Sequence, residues 1–275
     1  MKWQDKRIWI VGASSGIGAG LVKALATKEA KLVLSSRRAN LMQELADEFP
    51  HVDIKLLAAD MEDIEVLPEI AGKAWDFFGG LDYVFFNAGL SLRDPVTLAQ
   101  IEAEKKIMQV NFWAPVILTK ALLPLLLTLP ESHLVLTSSL SGKFGVPKLS
   151  AYAASKHALH GYFESLRTET HQTGLKIHFA IPGFINTDIT FSGIKGDGSP
   201  YAKRQESLAQ GMDPDICAQK ILRQLEKGKE EFAIGGMEKH MVWFHRLFPS
   251  LSKKLMRSNP VRQFRELKKK LNPFG

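Results

Sequence analysis

Tyr152 and Lys156 stand four positions apart within residues 150–173, a stretch whose pattern predicts a helix, so the two side chains share one face about a turn apart. An ammonium beside a phenol favours the phenolate and lowers the phenol from its ordinary pKa of about 10. That brings a proton donor and acceptor toward neutral pH, as general acid–base catalysis requires. Ser139 follows an apolar run, 133–137, that reads as a strand, and it lies at that strand's carboxyl end. A hydroxyl there can donate to a carbonyl oxygen and stabilise the alkoxide developing on it. Taken alone, a Tyr-x-x-x-Lys pair better suits the solvated face of an amphipathic helix, so its meaning depends on the rest of the chain.

A second cluster follows the first strand. Gly12-Ala13-Ser14-Ser15-Gly16-Ile17-Gly18 opens a helix, and glycines at this place let the backbone turn tightly and approach a pyrophosphate. The helix N-terminus then offers free N–H groups and the positive end of its dipole. The spacing is Gly-x-x-x-Gly-x-Gly, not the usual Gly-x-Gly-x-x-Gly fingerprint, and a turn that binds nothing remains an alternative. The second strand runs into Ser36-Arg37-Arg38. NAD-binding proteins place an acid here for the ribose 2′-hydroxyl, whereas two arginines suit a 2′-phosphate. Ser14 adds a possible donor. These residues point to NADP(H), with two solvated arginines at a helix entry as the bland alternative.

Residues of these types need a scaffold that gathers them. The chain has 275 residues, 45% of them hydrophobic, which suits one large domain with a continuous core. Apolar runs at 7–11, 31–35, 53–58, 81–86, 133–137, 176–181 and 231–234 alternate with helix-length segments at 18–28, 39–49, 65–78, 97–127, 150–173 and 214–227. The 97–127 segment reads as two helices broken near Val110. Near-continuous apolar strands between helices predict an α/β fold, a Rossmann-type doubly wound parallel sheet of seven strands. Residues 185–212 form an insertion after the sixth strand, where such sheets bind ligands. The division expected is a catalytic domain over 1–236 and a basic, amphipathic, helical extension over 237–275.

Residues 239–275 carry ten Lys/Arg against Glu266 alone, in a chain of net charge +7, so the body is slightly acidic and a nucleic-acid-binding body is not expected. Met241, Trp243, Phe244, Leu247, Phe248 and Leu251 mix there with basic residues. The segment suits packing over the pocket or on a partner subunit, or contact with an anionic membrane. The run 262–270 reads as a solvated helix face. The most apolar run, 114–129, contains Lys120 and Pro124 and is short for a bilayer span, which favours a buried helix. Cys217 is the single cysteine, so no internal disulfide can form. The eight histidines show no metal-ligand spacing, and no metal is expected. His157 and His160 read as packing or solvent-facing residues. The start of the chain has no secretory apolar region, and a cytoplasmic location is expected, with membrane association as an alternative.

The ordered motifs resemble the short-chain dehydrogenase/reductase family: Gly12-x-x-x-Gly16-x-Gly18, Asp60, Asn87-Ala88-Gly89, Asn111, Ser138-Ser139, Tyr152-x-x-x-Lys156, and Pro182-Gly183 with Thr187. The segments Ser150-Ala151-Tyr152-Ala153-Ala154-Ser155-Lys156-His157-Ala158 and Gly196-Asp197-Gly198-Ser199-Pro200-Tyr201 are similar to those of its dehydrogenase/reductase member 7 subgroup. The resemblance implies that Tyr152 is the acid in ketone reduction and that Lys156 holds the nicotinamide ribose. Ser139, thirteen positions before Tyr152, would polarise the carbonyl. Asn111 would kink its helix and position a water for a proton relay. Gly12, Ser14, Ser15, Gly16, Ile17, Gly18, Arg37, Arg38, Asp60, Met61, Asn87, Ala88, Gly89, Pro182, Gly183, Ile185 and Thr187 would bind the cofactor together with Tyr152 and Lys156. Val11 departs from the family, which usually has Thr there, and this puts a structural bond to the fourth-strand turn in doubt.

The expectation is therefore an NADP(H)-dependent oxidoreductase acting on CH–OH groups. Its substrate would be a lipophilic steroid-, retinoid- or lipid-like molecule, and the assembly a homodimer or homotetramer. Reduction of a 3-oxoacyl thioester and a non-catalytic NADPH-binding regulator are the alternatives.

Overall fold

In the computed structural model, which describes residues 2–257, seven strands form one sheet: β1 (Arg7–Val11), β2 (Lys31–Ser35), β3 (Ile54–Leu56), β4 (Tyr83–Phe86), β5 (Ser132–Thr137), β6 (Leu175–Pro182) and β7 (Glu231–Ile234). Their order is β3-β2-β1-β4-β5-β6-β7 and every pairing is parallel. The order reverses between β1 and β4, which opens a crevice at their carboxyl ends. The interior strands are buried on both faces because helices cover both sides, which explains their continuous apolar runs. The third strand is shorter than its apolar run. It is the sheet's edge, paired only with β2, and beyond Leu56 the pairing continues irregularly through Leu57 N–H to Leu34 O and Ala59 N–H to Ser36 O.

Helices α1 (Gly16–Ala26), α2 (Ala39–Asp47) and α3 (Leu67–Asp76) follow the first three strands. The stretch expected to hold two helices is instead continuous. Helix α4 (Ile101–Met108) passes through a π-helical turn, Gln109–Trp113, into α5 (Ala114–Leu126). The extra residue of that turn is accommodated without breaking the helix. By length and composition, Ile101–Leu126 could cross a membrane; here α4 packs on α6 (Ser150–Glu169) and α5 on α3. A short helix, α7 (Glu206–Ala209), lies in the insertion, and α8 (Pro214–Glu226) packs on α1. Asp213 caps α8 by accepting from the N–H groups of Asp215 and Ile216.

Within the described part of 237–275, residues fold into α9 (Met241–Leu247) and α10 (Pro249–Arg257). Met241 and Met256 are buried in the same core as Phe144, while Trp243, Leu247, Phe248 and Leu251 remain exposed. The 262–270 run lies outside the described residues.

Candidate active site

One cleft of about 500 Å³ runs along the carboxyl edge of the sheet. Its first end is the turn between β1 and α1. Gly12 adopts φ +89°, and a Cβ there would lie 2.5 Å from Ala88 N. A Cβ on Gly18 would lie 1.9 Å from Gly12 O. Both positions therefore require glycine for packing, and Gly12 requires it for conformation as well. Helix α1 has no side-chain cap, so its first N–H groups face the cleft unsatisfied from within the helix. Arg38 lies across this turn, donating to Ser14 Oγ at 2.9 and 3.2 Å and to Ser15 Oγ at 2.6 Å. Arg37 pairs with Asp60 at 3.7 Å, both exposed. A glycine cradle, an uncapped helix end and a mobile-charge guanidinium form a donor set that fits the pyrophosphate and phosphate groups of a dinucleotide.

The second end holds the proton chemistry. Tyr152 and Lys156 both lie on α6 and both line the cleft, and Lys156 is only 4% exposed. The Lys156 ammonium donates to Thr137 O at 2.9 Å, and Thr137 Oγ1 donates to Asn87 Oδ1 at 3.2 Å. Asn87 Nδ2 in turn donates to Gly12 O at 3.1 Å. The phosphate turn and the buried lysine are thus tied by three successive bonds. Ser139 Oγ accepts from Ser141 N–H at 3.2 Å, and the Ser139 hydroxyl also hydrogen-bonds the Tyr152 phenol.

Asn111 is fully buried in the π-helical turn. Its Oδ1 accepts from Leu90 N–H at 2.7 Å, and its Nδ2 donates to Leu90 O at 2.9 Å and to Ser155 Oγ at 3.0 Å. A Cβ placed on Gly89 would lie 3.6 Å from Asn111 Oδ1 and 3.7 Å from Lys156 Nζ, so both groups border that glycine.

Burial pushes the Lys156 ammonium down to about 8. The expected lowering of the Tyr152 phenol by Lys156 is not what this arrangement produces. Burial raises the phenol above its ordinary value, and the Ser139 hydroxyl opposes that rise. The reason is geometric: Lys156 Nζ lies 5.8 Å from the centroid of the Tyr152 ring and is directed to Thr137 O. Desolvation outweighs whatever attraction remains.

This geometry has counterparts among known proteins. The family model described as short chain dehydrogenase matches residues 6–195. The chain belongs to the short-chain dehydrogenase family. Dehydrogenase/reductase SDR family member 7B from Bos taurus is 34% identical to it over 258 residues, which are 90% of this chain and 79% of the relative. Dehydrogenase/reductase SDR family protein 7-like from Drosophila melanogaster is 30% identical, over 90% of this chain and 78% of the relative. Among solved structures, a short chain dehydrogenase/reductase from Burkholderia phymatum in complex with NAD superposes with a TM-score of 0.80 at 19% identity, covering 91% of this chain and 96% of that one. An alcohol dehydrogenase from Thermococcus sibiricus complexed with 5-hydroxy-NADP gives 0.72 at 24% identity, covering 84% and 97%. These two likenesses concern the fold.

Within this short-chain dehydrogenase the expected cofactor and catalytic positions largely gather along one cleft. Gly12, Ser14, Ser15, Gly16, Ile17, Arg37, Arg38, Asp60, Met61, Asn87, Ala88, Gly89, Pro182, Gly183, Ile185 and Thr187 line it together with Ser139, Tyr152 and Lys156. Gly18 supports the turn from behind, and Asn111 acts on the wall from its helix. At Val11 the fourth-strand turn is held through the backbone: Asn87 N–H and Ala88 N–H donate to Val11 O at 2.9 and 2.8 Å.

Several site residues were not evident from the sequence. Thr137 carries the link between Asn87 and Lys156. Glu238 Oε1 accepts from Phe184 N–H at 3.1 Å and Gly236 N–H at 2.9 Å, and so holds the Pro182–Thr187 stretch from the extension. His160 is buried, with Nε2 2.9 Å from Ser138 Oγ and Nδ1 3.3 Å from Lys143 Nζ, and burial pushes it down to about 3. It is a neutral member of a bonded network and not simple packing. His157 is bland by comparison, bonding Ala153 O one turn back. Among the described residues one group, His160, Glu164 and Glu231, could collect metal-ligand atoms. The Lys143 ammonium already bonds Glu231 there at 2.7 Å and supplies the positive charge.

Proposed function

We propose that this chain is an NADP(H)-dependent oxidoreductase that interconverts a carbonyl with a secondary or primary alcohol on a lipophilic small molecule. The observation that carries the reading is the convergence of Ser139, Tyr152 and Lys156 in a cleft whose other end is a glycine cradle crossed by Arg38. The glycine turn and the α1 N-terminus would hold the pyrophosphate. Arg37, Arg38 and Ser14 would hold the 2′-phosphate that distinguishes NADP from NAD, and the residues Pro182 to Thr187 would hold the nicotinamide end. When bound, the nicotinamide supplies or accepts hydride.

The chain's own work is positioning and proton transfer. Ser139 donates to the carbonyl oxygen, and Tyr152 gives up its proton as the alkoxide develops. Because the phenol is raised in the free chain, it starts as the acid, which is the form reduction needs. Lys156 orients the ribose and holds its charge near the phenol, and Asn111 is placed to seat a relaying water beside Gly89. Phe144, Val146, Leu149, Leu208, Met241 and Met256 give the substrate end an apolar wall, which supports a steroid-, retinoid- or lipid-like substrate.

Residues 237–275 are read as an extension of a 1–236 catalytic domain. The exposed Trp243, Leu247, Phe248 and Leu251 with Lys253, Lys254 and Arg257 favour contact with an anionic lipid surface, of a protein otherwise located in the cytoplasm. Trp113 and Leu125, exposed on the helix through α4 and α5, support a homodimer or homotetramer.

The test is a ketone and aldehyde panel, with 3-oxoacyl thioesters alongside, assayed with NADPH and with NADH. Loss of turnover in Tyr152→Phe with NADPH binding retained is the expected result. Exclusive use of thioesters would replace the substrate class, and NADPH binding without turnover of any substrate would make the chain a regulator.

A further inference from the structure

Charged side chains along the cleft are mostly spoken for. Arg37 pairs with Asp60, Arg38 bonds Ser14 and Ser15, Asp188 pairs with Arg204, and Glu238 accepts from two backbone N–H groups. Arg93 is different. It lines the cleft half-buried, and among the described residues its guanidinium has neither a carboxylate nor a hydrogen-bond acceptor. Its own neighbour Asp94 is turned to the insertion, where its Oδ2 accepts from Gly196 N–H at 3.0 Å.

The backbone places Arg93 at the substrate end. Arg93 N–H donates to Ile194 O at 3.1 Å, in the insertion, and Asp94 N–H donates to Lys148 O at 3.0 Å, just ahead of the helix that carries Tyr152. Leu92 pairs with Ile194, which lays the 91–93 segment alongside the insertion. A second observation is independent of the arginine. Thr190 lines the same cleft, its side-chain oxygen is buried, and it has no hydrogen-bond partner. A hydroxyl and a guanidinium left unmatched beside an apolar wall lack an acceptor that a ligand can supply.

Resting on the carbonyl-reducing reading above, we propose that the substrate is amphiphilic: an aliphatic ketone or aldehyde bearing a carboxylate or phosphate group, which Arg93 receives with Thr190 as a further donor. Arg93 is then a specificity residue and takes no part in proton transfer. The guanidinium fork matches either anion by paired N–H bonds, and the wall formed by Phe144, Val146 and Met256 takes the chain.

The experiment compares matched long-chain ketones in three forms: a keto carboxylate, a keto phosphate monoester and the neutral methyl ester. Each is assayed with NADPH on the wild type, Arg93→Gln and Arg93→Lys. The wild type is expected to favour one anionic form over the neutral one by about 10- to 100-fold in kcat/KM, mostly through KM. Arg93→Gln should remove that preference while changing neutral-ketone turnover by no more than about threefold, and Arg93→Lys should recover part of it. The carboxylate and phosphate arms tell which anion the site takes. Calorimetric binding of a fatty acid and an alkyl phosphate to the NADPH complex reads Arg93 without turnover, and should weaken about tenfold or more in Arg93→Gln. Equal losses on neutral and anionic ketones, or unchanged anion binding in Arg93→Gln, would overturn the assignment of Arg93. Failure of every ketone with anion binding intact would instead overturn the carbonyl-reducing reading and leave the anion site standing.

Discussion

The two ends of the cleft are built by different means. The nucleotide end is local: Gly12 to Gly18 form one turn, and Arg38 reaches only to Ser14 and Ser15. The other end, which we propose takes the substrate, draws on distant parts of the chain: Arg93, Phe144, Thr190, Glu238, Met241 and Met256 line the same cleft as Tyr152. The glycine turn is encoded in one short segment, yet it leans on the end of β4, where Asn87 Nδ2 donates to Gly12 O. A site assembled from four separate segments can change its ligand by changing any one of them.

The sharpest way to separate the two ends is Tyr152→Phe. Turnover should fall by about 100- to 10,000-fold while the NADPH dissociation constant stays within about threefold, read by titration of cofactor fluorescence. A large loss of cofactor affinity would mean that the two ends are not separable.

Lys156 joins the ends and shows the cost of doing so. Its folded pKa is lowered from 10.5 to about 8, a difference worth roughly 3 kcal/mol. Between about pH 8 and 10.5 the unfolded chain holds a proton that the folded chain has released, so stability from this group rises with pH across that window and is lowest below it. Lys156→Met should abolish most turnover and flatten that rise in urea denaturation, with part of the gain offset because Thr137 O loses its donor. A variant that keeps the wild-type slope would place the titration elsewhere.

A smaller effect is expected from Arg37→Ala combined with Arg38→Ala. NADPH should weaken by about 10- to 100-fold and NADH by no more than about threefold, measured as separate KM values. Equal losses would remove the 2′-phosphate assignment. The smallest effect belongs to Arg204→Ala, which frees Asp188 in the insertion. The pair is exposed on both sides, so the melting temperature should hardly move while the substrate KM rises about twofold.

Legibility in the sequence follows the same division. The parallel sheet and the nucleotide turn could be read because glycine spacing and continuous apolar strands are short-range signals, and β1, β2 and β7 match the runs that announced them. Tyr152 and Lys156 could be read because a helix fixes their relation. The direction of the Tyr152 pKa could not, because burial is a property of everything packed around the ring and i,i+4 spacing says nothing of it. Glu238 and Met256 follow Tyr152 by more than eighty positions; the amphipathic pattern there suits packing over the pocket, on a partner or on a membrane alike, and does not say which side chains reach the cleft. His160 carried no motif either, since its partners Ser138 and Lys143 lie in the connection between β5 and α6 and Glu231 lies in β7.

The surplus residue in the Gln109–Trp113 turn lets one long rod serve two masters. Its first half lies on α6 and its second half on α3, with Asn111 between them in the π-helical turn. Removing a single residue there would rotate one half against the other by about 100°. Asn111 would then swing away from Leu90 and Ser155, and the wall beside Gly89 would lose the three bonds that hold it.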